Sequence, residues 1–435
     1  MRTRFAGFLL AGLAIAAIGT VSVNSYGQPA QRKAGAHPGE PAGDMSAVPR
    51  QKPAAKKSAA KPGAKPSGGQ PELTRPEFSA ADQAAAQIPG MPDVRFWADS
   101  TTDFERALAG PPGPWLVLST GGEEGAYGAG FLNGWSASGS RPQFAVITGV
   151  STGALMATYV FAGPKFDEEL RQGYTQISAS DIFEVAATPE SLADAWPLAK
   201  LIEKRVTPEI LSAVAAEYAK GRRLFVVTTN LDAGRPMVWN MGAIAAHGGD
   251  AGLKLFRQVL LASASIEGLF QPVYITAEAN GHQFQEMHAD GGATGPLFFG
   301  PVPYLMPNAT KRLPATDLYA LVNGKMSSEF YMPTRTTAGV LGRAITVALK
   351  AGGRLEIALA SLVAKRAGIG FNVTYVGDDF EQVGRGLFDP KYMTALYDYG
   401  YAKGRGDDRF HNPLSMARPQ QPTASGGPPP ESAPK

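Results

Sequence analysis

The apolar run Phe144-Ala145-Val146-Ile147 passes through Thr148 into Gly149-Val150-Ser151-Thr152-Gly153, and no other stretch constrains this chain as much. A short apolar run closed by glycine reads as a buried strand, and residues 154–161 beyond the turn read as a helix. A strand, a tight turn and a helix with serine at the tip push one hydroxyl out of the backbone. The flanking glycines leave room for a substrate and for the following helix. A five-residue pattern of this kind is weak alone, so its weight comes from its place between a strand and a helix.

The rest of the body alternates in the same way. Residues 115–119 (Trp-Leu-Val-Leu-Ser) read as a first buried strand. They lead through Thr120-Gly121-Gly122-Glu123-Glu124-Gly125 into a small-residue helix over 126–135. Residues 223–229 form a third strand and 236–239 follow a turn at 230–234. A helix over 251–264 precedes a strand at 272–275, and the next loop holds His288-Ala289-Asp290-Gly291-Gly292. Residues 337–367 are expected to form two helices around Gly352-Gly353, with their Leu, Ile and Val stripes facing the core. This order predicts an α/β body over residues 76–412, a sheet covered by helices.

The ends are different in kind. Arg2 and Arg4 precede a 19-residue uncharged run from Phe5 to Val23, so residues 1–27 read as an export signal, cleaved to a periplasmic or secreted form, or as an N-terminal anchor. Residues 28–75 carry eight prolines and nine Lys or Arg with few large aliphatics, the composition of a disordered basic linker. Residues 413–435 read as a disordered Pro-rich tail. The net charge of +3 divides into +2 for residues 1–27, +6 for the linker and −5 for the remainder. The basic residues are therefore off the body and not interleaved with aromatics, which argues against a nucleic-acid partner. With no cysteine, disulfides, thiolate metal sites and a cysteine nucleophile are excluded.

A serine nucleophile needs a base and donors for the oxyanion. Gly121 and Gly122 can supply backbone N–H groups at the mouth of a helix. No Gly-Lys-Ser/Thr follows them, so a nucleotide phosphate loop is disfavoured. A histidine base could come from His288 or His247; His282 lies near the first, His37 in the linker and His411 near the tail, and nothing singles one out. Asp290, taken alone, reads as an ordinary Asp-Gly turn.

Together the glycine-rich turn, the Gly-x-Ser-x-Gly elbow and the late Asp290-Gly291-Gly292 resemble the patatin-like phospholipases. The segments Leu260 to Val273 and Asp290 to Leu297 are similar to the same family. The resemblance implies a three-layer α/β/α hydrolase fold with a central, mostly parallel sheet. It also implies a Ser151–Asp290 dyad that cleaves lipid carboxylic esters through an acyl-enzyme, without metal or cofactor, on a lipid or membrane-surface substrate. Gly121 and Gly122 would hold the oxyanion, and Gly125, Gly149, Gly153, Gly291 and Gly292 would complete the motifs. A non-catalytic lipid- or envelope-binding member and an acyltransferase are the alternatives the resemblance leaves open. Thr120, Glu124 and Glu267 depart from the family pattern, which has glycine, a basic residue and proline there. Charge from Glu123 and Glu124 at the pocket mouth is expected to favour neutral or zwitterionic esters.

Overall fold

The computed structural model describes residues 75–411 except 109, 186, 187, 189, 307 and 308. The expectations for an export signal, a linker and a tail thus concern residues outside the described ones, save Arg75. That residue, counted above with the linker, is ion-paired with Asp232 at 2.6 Å.

Among the described residues nine strands make one sheet: β1 (Arg95–Trp97), β2 (Gly113–Leu118), β3 (Val146–Val150), β4 (Arg223–Asn230), β5 (Arg235–Asn240), β6 (Val273–Ala279), β7 (His282–Asp290), β8 (Ala315–Lys325) and β9 (Gly370–Val376). The main path runs β1-β5-β4-β3-β2-β8-β9, and β7 pairs with both β4 and β6. Strands β4, β3, β2, β8 and β9 are mutually parallel; β1, β5 and the β6–β7 hairpin are antiparallel additions. The sheet is central and mostly parallel, as the family resemblance implies.

Side-chain alternation explains the layering. Leu116 and Leu118 of β2 point into one apolar layer with the helices Gly125–Ala137, Thr152–Ala162, Gly249–Ser263 and Pro390–Arg405. Trp115 and Val117 point into the other, with Phe104, Leu318, Ile357 and Ala360. All eight residues of β4 are buried, as expected of a strand covered on both faces.

One register relation positions the chemistry. Strand β3 pairs along β4 only as far as Val150↔Val227. Beyond that point the same edge of β4 is taken by β7, which begins with Thr228↔Asp290. Ser151 follows Val150 and Asp290 faces Thr228, so the two side chains converge where one neighbour of β4 gives way to another.

Three expectations need correction. His288, Ala289 and Asp290 lie on strand β7, not in a loop, because the β6–β7 hairpin pairs through to His288 and β4 continues it. Residues 337–367 form one 31-residue helix rather than two. Gly352 and Gly353 lie within it beside Pro296, where an added Cβ would make ordinary van der Waals contact. Much of its apolar surface is also exposed rather than core-facing. Strands β8 and β9, absent from the sequence reading, extend the sheet beyond β2.

Candidate active site

Ser151 sits between β3 and the helix Thr152–Ala162 with φ 56° and ψ −124°. A side chain in this conformation is strained, and the strain persists only where surrounding contacts hold it. Here they do. The Ser151 N–H donates to Ser263 Oγ at 3.0 Å, and that hydroxyl donates to the Val227 carbonyl at 2.7 Å. Gly149 and Gly153 allow the turn to close: a Cβ on Gly149 would lie 2.5 Å from the Gly153 carbonyl oxygen, and one on Gly153 would lie 2.5 Å from that of Leu118.

Asp290 is buried beside the Ser151 side chain, which favours its ionised form. Its Oδ1 accepts from the Gly292 N–H at 2.7 Å, and its own N–H donates to the Ser265 carbonyl at 2.8 Å. Burial pushes its carboxyl up to about 7, against the lowering effect of the Ser151 hydroxyl and the Gly292 N–H. A carboxylate with that affinity can hold a proton briefly and return it near neutrality. Gly291 backs this turn: a Cβ there would meet the Val227 carbonyl oxygen at 2.5 Å.

Gly121 and Gly122 open a short 3-10 turn beside the serine. Gly121 has φ 158° and lies so close to Asn323 that a Cβ would meet its Cβ at 2.5 Å. Gly122 has φ 56° with open space over its Cα, and it shares one cleft with Ser151. Asn323 braces this turn: its N–H donates to Ser119 Oγ at 2.8 Å and its amide to the Ser119 carbonyl at 2.9 Å. The Thr120 N–H reaches the Pro296 carbonyl at 3.0 Å, which ties the glycine turn to the aspartate segment. Gly125 starts the next helix in close contact with Thr152 and Tyr174.

The cleft above Ser151 is apolar. Leu155, Ile177, Leu198, Ile202, Leu260 and Phe270 are among the side chains that line it. Such walls suit a hydrocarbon chain and exclude water from the serine.

None of the described histidines lines the cleft. His288 is fully buried, with Nδ1 3.0 Å from Thr228 Oγ1 and Nε2 3.3 Å from Glu286 Oε2. Trp239 donates to the same Thr228 oxygen at 2.8 Å, and Glu286 is ion-paired with Arg95. This network supports the sheet, and burial lowers the affinity of His288 for a second proton. His247 ends the helix Met241–His247, exposed, and His282 lies 3.8 Å from Asp82. His411 stacks on Tyr375.

Glu123 and Glu124 do not line the cleft. Glu123 accepts from the Phe388 N–H and is pushed up to about 7 by burial, with the neighbouring charge of Glu124 adding to it. Glu124 accepts from the Tyr392 hydroxyl at 2.5 Å, and burial raises its carboxyl as well. Both fasten the glycine turn to the region of the helix Pro390–Arg405. Neither carboxylate therefore faces the cleft wall directly, and each is engaged by a neutral donor from that region.

Sequence reasoning did not assign roles to Ser263, Asn323 or Glu267. Ser263 lay inside a recognised segment, but its partner Val227 is distant in sequence. Glu267 stands near Asp290: burial, then the Asp290 charge, pushes its carboxyl up to about 7, and its Oε1 is buried without a hydrogen bond.

Residues 116–303 match the family model described as patatin-like phospholipase. No curated protein sequence matches the chain. Among solved structures, the crystal structure of VipD from Legionella pneumophila is similar at 11% identity and a TM-score of 0.34, over 68% of this chain and 67% of that one.

Proposed function

We propose, from the match of residues 116–303 to the patatin-like phospholipase model, that the chain is a serine acyl hydrolase of lipid carboxylic esters working through a Ser151–Asp290 dyad. The observation that carries the proposal is the handover along β4 that sets the Ser151 side chain beside the buried Asp290 carboxyl, with Ser151 in the wall of an apolar cleft.

In this reading the acyl chain lies along Leu155, Leu198 and Ile202, with its ester carbonyl at Ser151. Asp290 takes the hydroxyl proton as Ser151 Oγ attacks the carbonyl carbon. The carbonyl π pair moves to oxygen, and the N–H groups of Gly121 and Gly122 stabilise the resulting anion. Collapse expels the alcohol, which leaves with the proton held by Asp290. Water then attacks the acyl-enzyme as Asp290 again accepts a proton, and collapse releases the acid while Asp290 returns that proton to the departing Ser151 Oγ.

A fluorophosphonate label and a panel of chromogenic acyl esters test the proposal. Labelling and hydrolysis by the wild type, both lost in Ser151→Ala, are expected. Lipid binding without either would favour the non-catalytic reading.

A further inference from the structure

In residues 327–352 none of the described side chains is buried, although the segment holds Phe330, Tyr331, Met332, Val340, Leu341 and Val347. Phe330 is 93% exposed and Met332 77%. The pattern continues down the helix Thr337–Ala367. Val340, Val347, Leu355 and Leu362 are spaced seven, eight and seven residues apart and are 58%, 51%, 70% and 66% exposed. That spacing places them on one face, with exposed Ala344, Ala351 and Ala358 between them. The opposite face is anchored, since Ile357, Ala360 and Ala364 are buried in the core. An exposed apolar stripe along a helix of about 46 Å, at 1.5 Å per residue, is more than a solitary folded domain normally leaves in water.

The charge around the stripe selects its partner. The helix carries Arg343, Lys350, Arg354, Lys365 and Arg366 but a single acid, Glu356. Glu356 turns inward and accepts the Leu297 N–H at 3.0 Å. Lys350 is ion-paired with Glu329 of the preceding segment at 2.6 Å, which leaves Arg343, Arg354, Lys365 and Arg366 to flank the stripe, and an apolar stripe so flanked matches an anionic lipid surface. A second copy fits poorly, because the same face would set basic residues against basic residues. Among the described residues no helix is long and apolar enough to cross a membrane, so the helix would lie on the surface.

The helix also adjoins the catalytic segments. A Cβ on Gly292 would lie 3.2 Å from Leu349 Cδ2, and one on Gly268 would lie 3.6 Å from Leu341 Cδ2. We propose that the helix Thr337–Ala367 and the preceding Phe330-Tyr331-Met332 form an interfacial docking surface for anionic phospholipid bilayers, holding the Asp290 segment at the lipid surface. This rests on the lipid-ester reading above for its purpose, not for its binding.

The test is sedimentation of the full chain with vesicles of neutral phosphatidylcholine and with vesicles that also contain phosphatidylglycerol. Wild type is compared with Leu355→Glu/Leu362→Glu, with Phe330→Ser/Met332→Ser and with the milder Leu355→Ser. All forms keep the basic N-terminal stretch, so its contribution cancels, and unchanged melting temperatures verify folding. Binding to the anionic vesicles should fall at least about tenfold in both double variants, while turnover of a soluble short-chain ester stays at the wild-type level. Unchanged vesicle binding overturns the proposal, as does a wild-type dimer that these substitutions dissociate. If the wild type binds through this helix yet cleaves no ester, the docking surface stands and the hydrolase reading falls.

Discussion

Ser151 gives its main-chain N–H to the Ser263 hydroxyl at 3.0 Å, and that hydroxyl is anchored on the Val227 carbonyl at 2.7 Å. The last residue of a long helix therefore holds the elbow against the central strand. Ser263→Ala would leave a buried donor and a buried acceptor without this partner, which costs about 1–3 kcal/mol. We expect a lower melting temperature and a reduced kcat with little change in KM. Wild-type stability and kcat in this variant would show that the elbow needs no clamp.

The positive φ of Ser151 separates strain from chemistry. Ser151→Ala keeps the strained backbone and loses the hydroxyl, whereas Ser151→Gly also removes the Cβ that makes this conformation costly. Both should be inactive toward esters and fluorophosphonate. The glycine form should be more stable than the alanine form by about 1 kcal/mol, measured by denaturant unfolding. Hydrolysis retained by either would remove Ser151 from the role of nucleophile.

Asp290 ties activity and stability to the same titration in opposite directions. As a base it must be ionised, so kcat/KM should rise with pH through about 7 and level off above it. Asp290→Asn should lower turnover by about two to four orders of magnitude. The stability effect follows from a folded-state affinity raised above the ordinary value of 3.8. The contribution is fully present below that value and is lost as pH rises through about 7. Asp290→Asn should therefore gain melting temperature over the wild type at pH 8 relative to pH 5. Glu267 feels the Asp290 charge, and that coupling is reciprocal, so Glu267→Gln should move the activity limb to lower pH.

Much of this arrangement was legible because it is local. The strand–Ser151–helix turn and the glycine turn at 121–122 are contiguous in sequence, and both formed where the apolar runs placed them. The pairing of Ser151 with Asp290 was not local. It came from family resemblance, and its physical cause is the handover from Val150↔Val227 to Thr228↔Asp290 along β4. No periodicity encodes that register. Glu124 shows the opposite failure: its place near the glycine turn was right, but Tyr392 engages it from far along the chain. The helix Thr337–Ala367 misled the core reading because its stripe is amphipathic in sequence and exposed in space.

Glu124 now predicts a structural effect in place of a selective one. Its oxygen accepts from Tyr392 at 2.5 Å, and burial raises its carboxyl. Glu124→Arg would force a longer side chain into a half-buried place and leave the Tyr392 hydroxyl without its acceptor, so it should lower the melting temperature and reduce turnover of neutral and anionic esters alike. Glu124→Gln keeps an acceptor for Tyr392 and should be mild. An altered ratio of anionic to neutral hydrolysis in a fully stable Glu124→Arg protein would restore the charge-selection idea.

The apolar cleft makes a separate prediction about chain length. Leu201 lines it while remaining only partly buried, so a larger side chain there can enter the cleft without rebuilding the core. Leu201→Trp should fill space that a long acyl chain needs and leave the ester carbonyl free to reach Ser151. Over-packing of this kind typically costs about 1–3 kcal/mol. If that cost falls only on substrates that occupy the blocked region, kcat/KM for long-chain esters should drop by roughly 5- to 150-fold at about 1.4 kcal/mol per tenfold. Acetyl and butyryl esters should react as in the wild type and serve as the internal control. A uniform loss across all chain lengths would mean that Leu201 supports the fold of the cleft wall. An unchanged profile would place the acyl chain elsewhere and remove this cleft as the binding site.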